Sequence, residues 1–150
     1  MLRLRLPVML DSLERVNALV QCLAAEAALS PRQAYRLRLA AEELFTNIVR
    51  HGRGMDADGA RVVVEGGITG EGVWIRLVDT AEPFDPFRST CPTGPPVPDR
   101  DPGVLGLHLA RYAVDSACHV YEGGTNCTTF TVSRAERSEE PTRERWSECV

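Results

Sequence analysis

Glu43 and Asn47 stand four residues apart in the run Ala40-Ala-Glu-Glu-Leu-Phe-Thr-Asn-Ile-Val-Arg-His51. At that spacing they share one face of a helix. A carboxylate can take a proton from an attacking hydroxyl, and a neutral amide oxygen beside it can ligate a hard cation. That pair suits metal-assisted chemistry on a phosphate. Taken alone it is more often a solvated stripe flanking Leu37, Ala41, Leu44 and Ile48.

Three other features could converge on it. Asp79 closes Val73-Trp-Ile-Arg-Leu-Val-Asp79, whose odd positions form one strand face, so a buried face ends in a carboxylate able to accept a hydrogen bond from an exocyclic amine. Its plainer reading is an Asp that starts a turn. Gly103-x-x-Gly106 opens a helix, where close-approaching backbone N–H groups favour phosphate, although glycines there often only turn the chain. Gly123-Gly-Thr-Asn-Cys-Thr-Thr-Phe130 reads as a hairpin whose threonine hydroxyls could meet a base or a water.

The elements that must position these residues follow from periodicity. Leu2–Leu6 alternates as a strand, and Asp11 with Glu14 predicts an N-cap opening a helix to about Ala28. Ser30-Pro31-Arg32-Gln33 predicts a capping box and a helix to about Arg50, stopped by Gly52 and Gly54. Strands are expected at 61–65 and 73–79, with Gly66, Gly67, Gly70 and Gly72 marking the hairpin between them. From Glu82 to Pro102 seven of the ten prolines cluster without periodicity, as in an active-site lid or a disordered segment. A third helix is expected from Leu105 to about Val114, with Leu105, Leu109 and Tyr112 in register. Strands 116–121 and 128–133 follow. This order, β-α-α-β-β-lid-α-β-β, predicts an α/β two-layer sandwich with a mixed, mainly antiparallel sheet and helices on one face.

The 150 residues suffice for one domain with a substantial core. The net charge of −4 argues against a nucleic-acid binder, and the lack of any lysine excludes a catalytic one. Five cysteines without a CxxC spacing suggest neither zinc nor a disulfide framework. No signal-peptide layout or membrane-length apolar run is present, so no membrane association and a cytoplasmic location are expected. The polar stretch after Arg134 is expected to be a disordered tail, 135–150.

In order and spacing these segments resemble the GHKL (Bergerat-fold) ATPases, most nearly the anti-sigma-factor serine kinases of the RsbW/SpoIIAB type. Glu43-x-x-x-Asn47-x-x-x-His51-Gly52 is similar to their N box. Asp79-Thr-Ala-Glu-Pro-Phe-Asp-Pro86 is similar to the first glycine box, Gly103 through Asp115 to the second, and Thr128-x-Phe130 to the last nucleotide-contacting strand. The resemblance covers residues 1–134, with a lid at about 82–103. It implies ATP and Mg²⁺ as cofactors, with Asn47 on the metal and Glu43 as the catalytic base toward a partner's serine. Asp79 would take the adenine amine, Ala81, Phe84, Leu105 and Thr128 would line the nucleotide, and Gly103 and Gly106 would wrap the phosphates. Arg50 and His51 would stand behind them. Ala81 replaces a usual glycine and Pro102 removes an N–H, which predicts weakened ATP binding.

The function implied is an anti-sigma factor that sequesters a sigma factor and phosphorylates a STAS-domain anti-anti-sigma factor. The alternative is a nucleotide-gated partner-binding module without phosphate transfer. Resembling proteins are commonly homodimers, with Leu2–Leu23 as the candidate surface.

Overall fold

The computed structural model describes residues 1–51, 60–88 and 102–136. The expected stop at Gly52 and Gly54, most of the lid (89–101) and the tail from 137 lie outside them. Strand β1 (Leu2–Pro7) passes through a 3₁₀ turn (Leu10–Ser12) into helix α1 (Leu13–Glu26). Asp11 is therefore inside the turn and does not cap α1. The N-cap position belongs to Ser12, whose hydroxyl donates to the Pro7 carbonyl at 2.8 Å instead.

Helix α1 ends on a residue unsuited to its place. Ala28 has φ 52°, while its N–H donates to the Ala25 carbonyl at 3.1 Å and the Leu29 N–H to the Ala24 carbonyl at 3.0 Å. These two bonds close a Schellman motif around a left-handed residue, normally glycine. Helix α2 (Pro31–His51) then starts with the capping box expected from its sequence. The Ser30 N–H donates to Gln33 Oε1 at 2.8 Å, and the Gln33 N–H donates to Ser30 Oγ at 3.2 Å. Gln33 Nε2 also reaches the Arg134 carbonyl at 2.8 Å, tying the start of α2 to the end of the last strand.

Strand β2 (Arg61–Ile68) runs three residues beyond its expected end, because Gly66 and Gly67 lie within it. The turn to β3 (Gly72–Asp79) is Thr69-Gly70-Glu71, where Thr69 Oγ1 accepts from the Glu71 and Gly72 N–H groups. Both strand glycines sit where other side chains approach closely. A Cβ on Gly66 would lie 2.5 Å from Leu23 of α1, and one on Gly67 would press into the Trp74 ring at 2.8 Å. Helix α3 (Pro102–Ala113) begins at Pro102, earlier than periodicity suggested, with proline at its first position. Strands β4 (Ser116–Glu122) and β5 (Thr125–Ser133) close through Gly123 and Gly124, both at positive φ, the geometry of a two-residue type I′ hairpin.

Every strand pairing is antiparallel, in the order β1-β2-β3-β5-β4. The inner face carries Leu4, Val64 and Leu77 in one cross-strand row, continued by Thr128 and His119. The next row toward the end of β3 is Asp79, Asn126 and Tyr121. One end of the inner face is therefore polar, and the rest packs as core around Phe45, Ile75 and Phe130. The outer face is wet: Glu65 bridges Arg3 at 3.4 Å and Arg76 at 3.6 Å, with Arg76 over the Trp74 ring.

The stripe Leu105, Leu109 and Tyr112 on α3 faces outward, 41–69% exposed. The buried face is Gly106, Leu107, Ala110 and Ala113. Small residues let α3 approach α2 closely, which a pattern search for large apolar residues overlooks. At the far end of that contact Arg36 meets Asp115 at 3.3 Å, with both side chains largely buried. Among the described residues Cys22 and Cys127 carry free thiols. Among the described residues no helix is long and apolar enough to cross a membrane.

Substituting Ala28→Gly removes a Cβ from a left-handed backbone and should raise unfolding stability by about 0.5–1 kcal/mol. Chemical denaturation with an unchanged slope is the check. A loss of stability would contradict the strained cap.

Candidate functional site

A pocket opens where α2 crosses the polar end of the sheet. Its α2 wall is Leu44, Asn47, Ile48 and His51, and its sheet wall is Leu77, Asp79, Asn126 and Thr128. The segment after β3 supplies the rim through Ala81, Glu82, Phe84 and Pro86. Helical spacing accounts for the first wall, since residues 44, 47, 48 and 51 recur at i, i+3, i+4 and i+7. Strand alternation accounts for the second, with 77 and 79 on β3 opposite 128 and 126 on β5.

Asp79 is buried, at 6% exposure. Its Oδ1 accepts the Ala81 N–H at 3.0 Å and Asn126 Nδ2 at 3.0 Å. Its Oδ2 takes no hydrogen bond from a described residue and remains able to accept one from a ligand. Asn47 is 9% exposed, and its amide makes no hydrogen bond to any described residue. An unbonded amide and half an unbonded carboxylate thus face one pocket from opposite walls.

Asn126, which motif reading passed over, organises the rim. Nδ2 reaches the Ala81 carbonyl at 3.1 Å and the Glu82 carbonyl at 3.0 Å besides Asp79, and Oδ1 accepts the Phe84 N–H at 3.1 Å. One side chain holds the segment that follows β3 against the sheet. Asp85 continues the ordering, its Oδ1 accepting the Phe87 N–H at 2.9 Å and placing Phe87 in the core. The sequence signal existed: an Asn on the inward parity of β5, between Tyr121 and Asp79 in register.

The expected site residues separate into two groups. Asn47, His51, Asp79, Ala81, Phe84 and Thr128 line the pocket. Glu43, Arg50, Leu105 and Gly106 are not among its lining residues, and Gly103 lies in the first turn of α3. Arg50 is exposed, as is Leu105. Glu43 instead lies against α3, where any Cβ added to Gly106 would collide with its Oε2. Ala81 needs no left-handed backbone, because Ala28 is the only non-glycine with positive φ among the described residues. The conformational objection to alanine there is removed, while its methyl borders the pocket.

The model of the histidine kinase-like ATPase domain matches residues 6–132. The chain belongs to this family. No curated protein matches it. Among solved structures, the RsbU and RsbW domains of Rv1364c from Mycobacterium tuberculosis superpose with a TM-score of 0.62 at 18% identity. The match covers 89% of this chain and 32% of that one, so this chain spans about a third of its length. Acinetobacter baumannii histidine kinase AdeS matches at TM-score 0.45 and 11% identity, over 91% of this chain and 69% of that one. The antiparallel five-stranded sheet with three helices is consistent with the GHKL ATP-binding fold.

Membership in an ATPase family implies ATP binding, usually with Mg²⁺, and the donor set fits both. Asp79 Oδ2 offers an acceptor for an amine on the sheet wall of the pocket. Among the described residues no cluster of three or more His, Cys, Asp or Glu side chains could hold a metal. Mg²⁺ commonly takes one or two protein oxygens plus substrate phosphates, and the Asn47 amide oxygen is free for that role.

Two substitutions test the geometry. Asn126→Ala should weaken ATP binding about tenfold or more, because it leaves the Phe84 N–H and the Ala81 and Glu82 carbonyls without their partner; isothermal titration with Mg·ATP measures it, and unchanged affinity would contradict the rim assignment. Gly106→Ala should lower stability by about 1–3 kcal/mol through overpacking against Glu43. The double variant Glu43→Ala/Gly106→Ala should recover most of that loss in thermal melts.

Proposed function

We propose that this ATPase domain, residues 1–134, is an anti-sigma factor and ATP-dependent protein serine kinase. It would sequester a sigma factor and phosphorylate a serine of a STAS-domain anti-anti-sigma factor, acting as a homodimer in the cytoplasm. The observation that carries this reading is the α2 pair: Asn47 faces the Asp79 pocket with an unbonded amide, and Glu43 stands one turn earlier on the same helix. The likeness to a structure that includes an RsbW domain supports the subfamily.

Mg²⁺, when bound, would neutralise charge on the nucleotide phosphates, and the remaining work falls to this chain. Asp79 Oδ2 would accept from the adenine amine, with Thr128 next to it on the sheet. The Asn47 amide oxygen would hold the metal. Glu43 would take the proton of the partner serine as its oxygen attacks the terminal phosphorus, and ADP leaves. Such chemistry is mainly positioning and electrostatics. The glycines Gly103 and Gly106 would let the first turn of α3 come close to the phosphates.

One observation favours a second reading. Glu43 packs against Gly106 and is absent from the pocket lining, as suits a module in which nucleotide gates partner binding without phosphate transfer. Incubation with Mg·ATP and the antagonist distinguishes the two. The kinase reading expects phosphoserine on the antagonist, lowered at least 100-fold in Glu43→Ala. Nucleotide binding that alters partner affinity with no phosphate transferred would establish the module instead.

A further inference from the structure

His119 belongs to none of the motifs, yet it touches the pocket through one atom. It lies on β4 directly across from Thr128 of β5, and its Nδ1 sits 2.9 Å from Thr128 Oγ1. No other hydrogen bond links either side chain to a described residue. Thr128 is 6% exposed and lines the pocket beside Leu77, one row from Asp79.

A hydroxyl has one proton, so the pair has two states. If Nδ1 accepts, Thr128 donates sideways to the ring and shows the pocket only lone pairs. If Nδ1–H donates, the Thr128 proton is free to turn into the pocket. Burial holds His119 below its usual pKa, opposed by the charges of Asp85 and Asp79. The neutral ring carries a single N–H, and its position decides which state obtains.

The neighbours decide what the pocket requires. Asp79 Oδ2 can only accept, so it selects a ligand edge that begins with a donor. On adenine the atom next to the exocyclic amine is N1, an acceptor, whereas guanine presents O6 and then N1–H. On the sheet wall beside Asp79, two side chains could donate to adenine N1, Asn126 and Thr128. Asn126 is excluded, because both its amide protons are held by Asp79, Ala81 and Glu82. Thr128 remains.

We propose that His119 is a specificity-determining positioning residue for the purine: its Nδ1–H donates to Thr128 Oγ1 and so aims the Thr128 proton at adenine N1, directly or through a water. The inference rests on the ATP reading of the pocket and adds to it a residue outside the nucleotide's own contacts. Asp79 rejects guanine at O6, and the His119–Thr128 pair rejects it again at N1–H.

The test uses two near-isosteric variants of the full chain. His119→Asn can still donate to Thr128, whereas His119→Asp can only accept and reverses the hydroxyl. Affinities for Mg·ATP and Mg·GTP are measured for each, and their ratio cancels the effect of added charge on the triphosphate. Wild type should prefer ATP, His119→Asn should keep that preference within about threefold, and His119→Asp should reduce it about tenfold, the size of one neutral hydrogen bond. Nitrogen-detected NMR of the ATP-bound wild-type ring should show the Nδ1–H tautomer. An unchanged ratio in His119→Asp, or a ring protonated only at Nε2, overturns the proposal while leaving the ATP site intact. Failure of wild type to bind either nucleotide overturns the ATP reading, and this inference with it.

Discussion

The register between β3 and β5 is the constraint on which the site depends. It sets Asp79 opposite Asn126 and Leu77 opposite Thr128, with all four on the face that meets α2. A slip of one residue would turn Asn126 and Thr128 to the wet side and bring Cys127 and Thr129 inward. The apolar rows below, Ile75 with Phe130 and Val73 with Val132, oppose that slip because they fill the core. The hydrophobic part of the sheet therefore holds the polar part in alignment, and the turn at Gly123 and Gly124 sets the same register on the β4 side.

Much of this arrangement was legible in the chain. The Ser30–Gln33 box, the inward parity of Asp79 and the four-residue step from Glu43 to Asn47 are local rules, and local rules survive folding. What escaped was set by contacts between distant segments. Gly66 and Gly67 read as turn residues until Leu23 and Trp74 are seen against them. The face of α3 was read from its largest side chains, whereas the buried face is the one with the smallest. Asn126 and His119 lie in plain strand sequence, and only pairing to β3 and β5 gives them chemistry.

The pocket residues also divide by rigidity. Those on the sheet are held by cross-strand pairing and by the Asn126 hydrogen bonds. Asn47 projects from a helix anchored by Leu37, Ala41 and Phe45 in the core and by Arg36 on Asp115. Groups mounted on such elements keep their separation without a ligand present, which lowers the ordering cost of binding.

The contact between Glu43 and Gly106 has a mechanical consequence. One atom of space, left by a missing side chain, is all that allows α3 to lie over a carboxylate of α2. A side chain at position 106 would have to displace the Glu43 carboxylate, so the two helices meet this closely only while residue 106 lacks a Cβ. The absence of a methyl group makes an interlock.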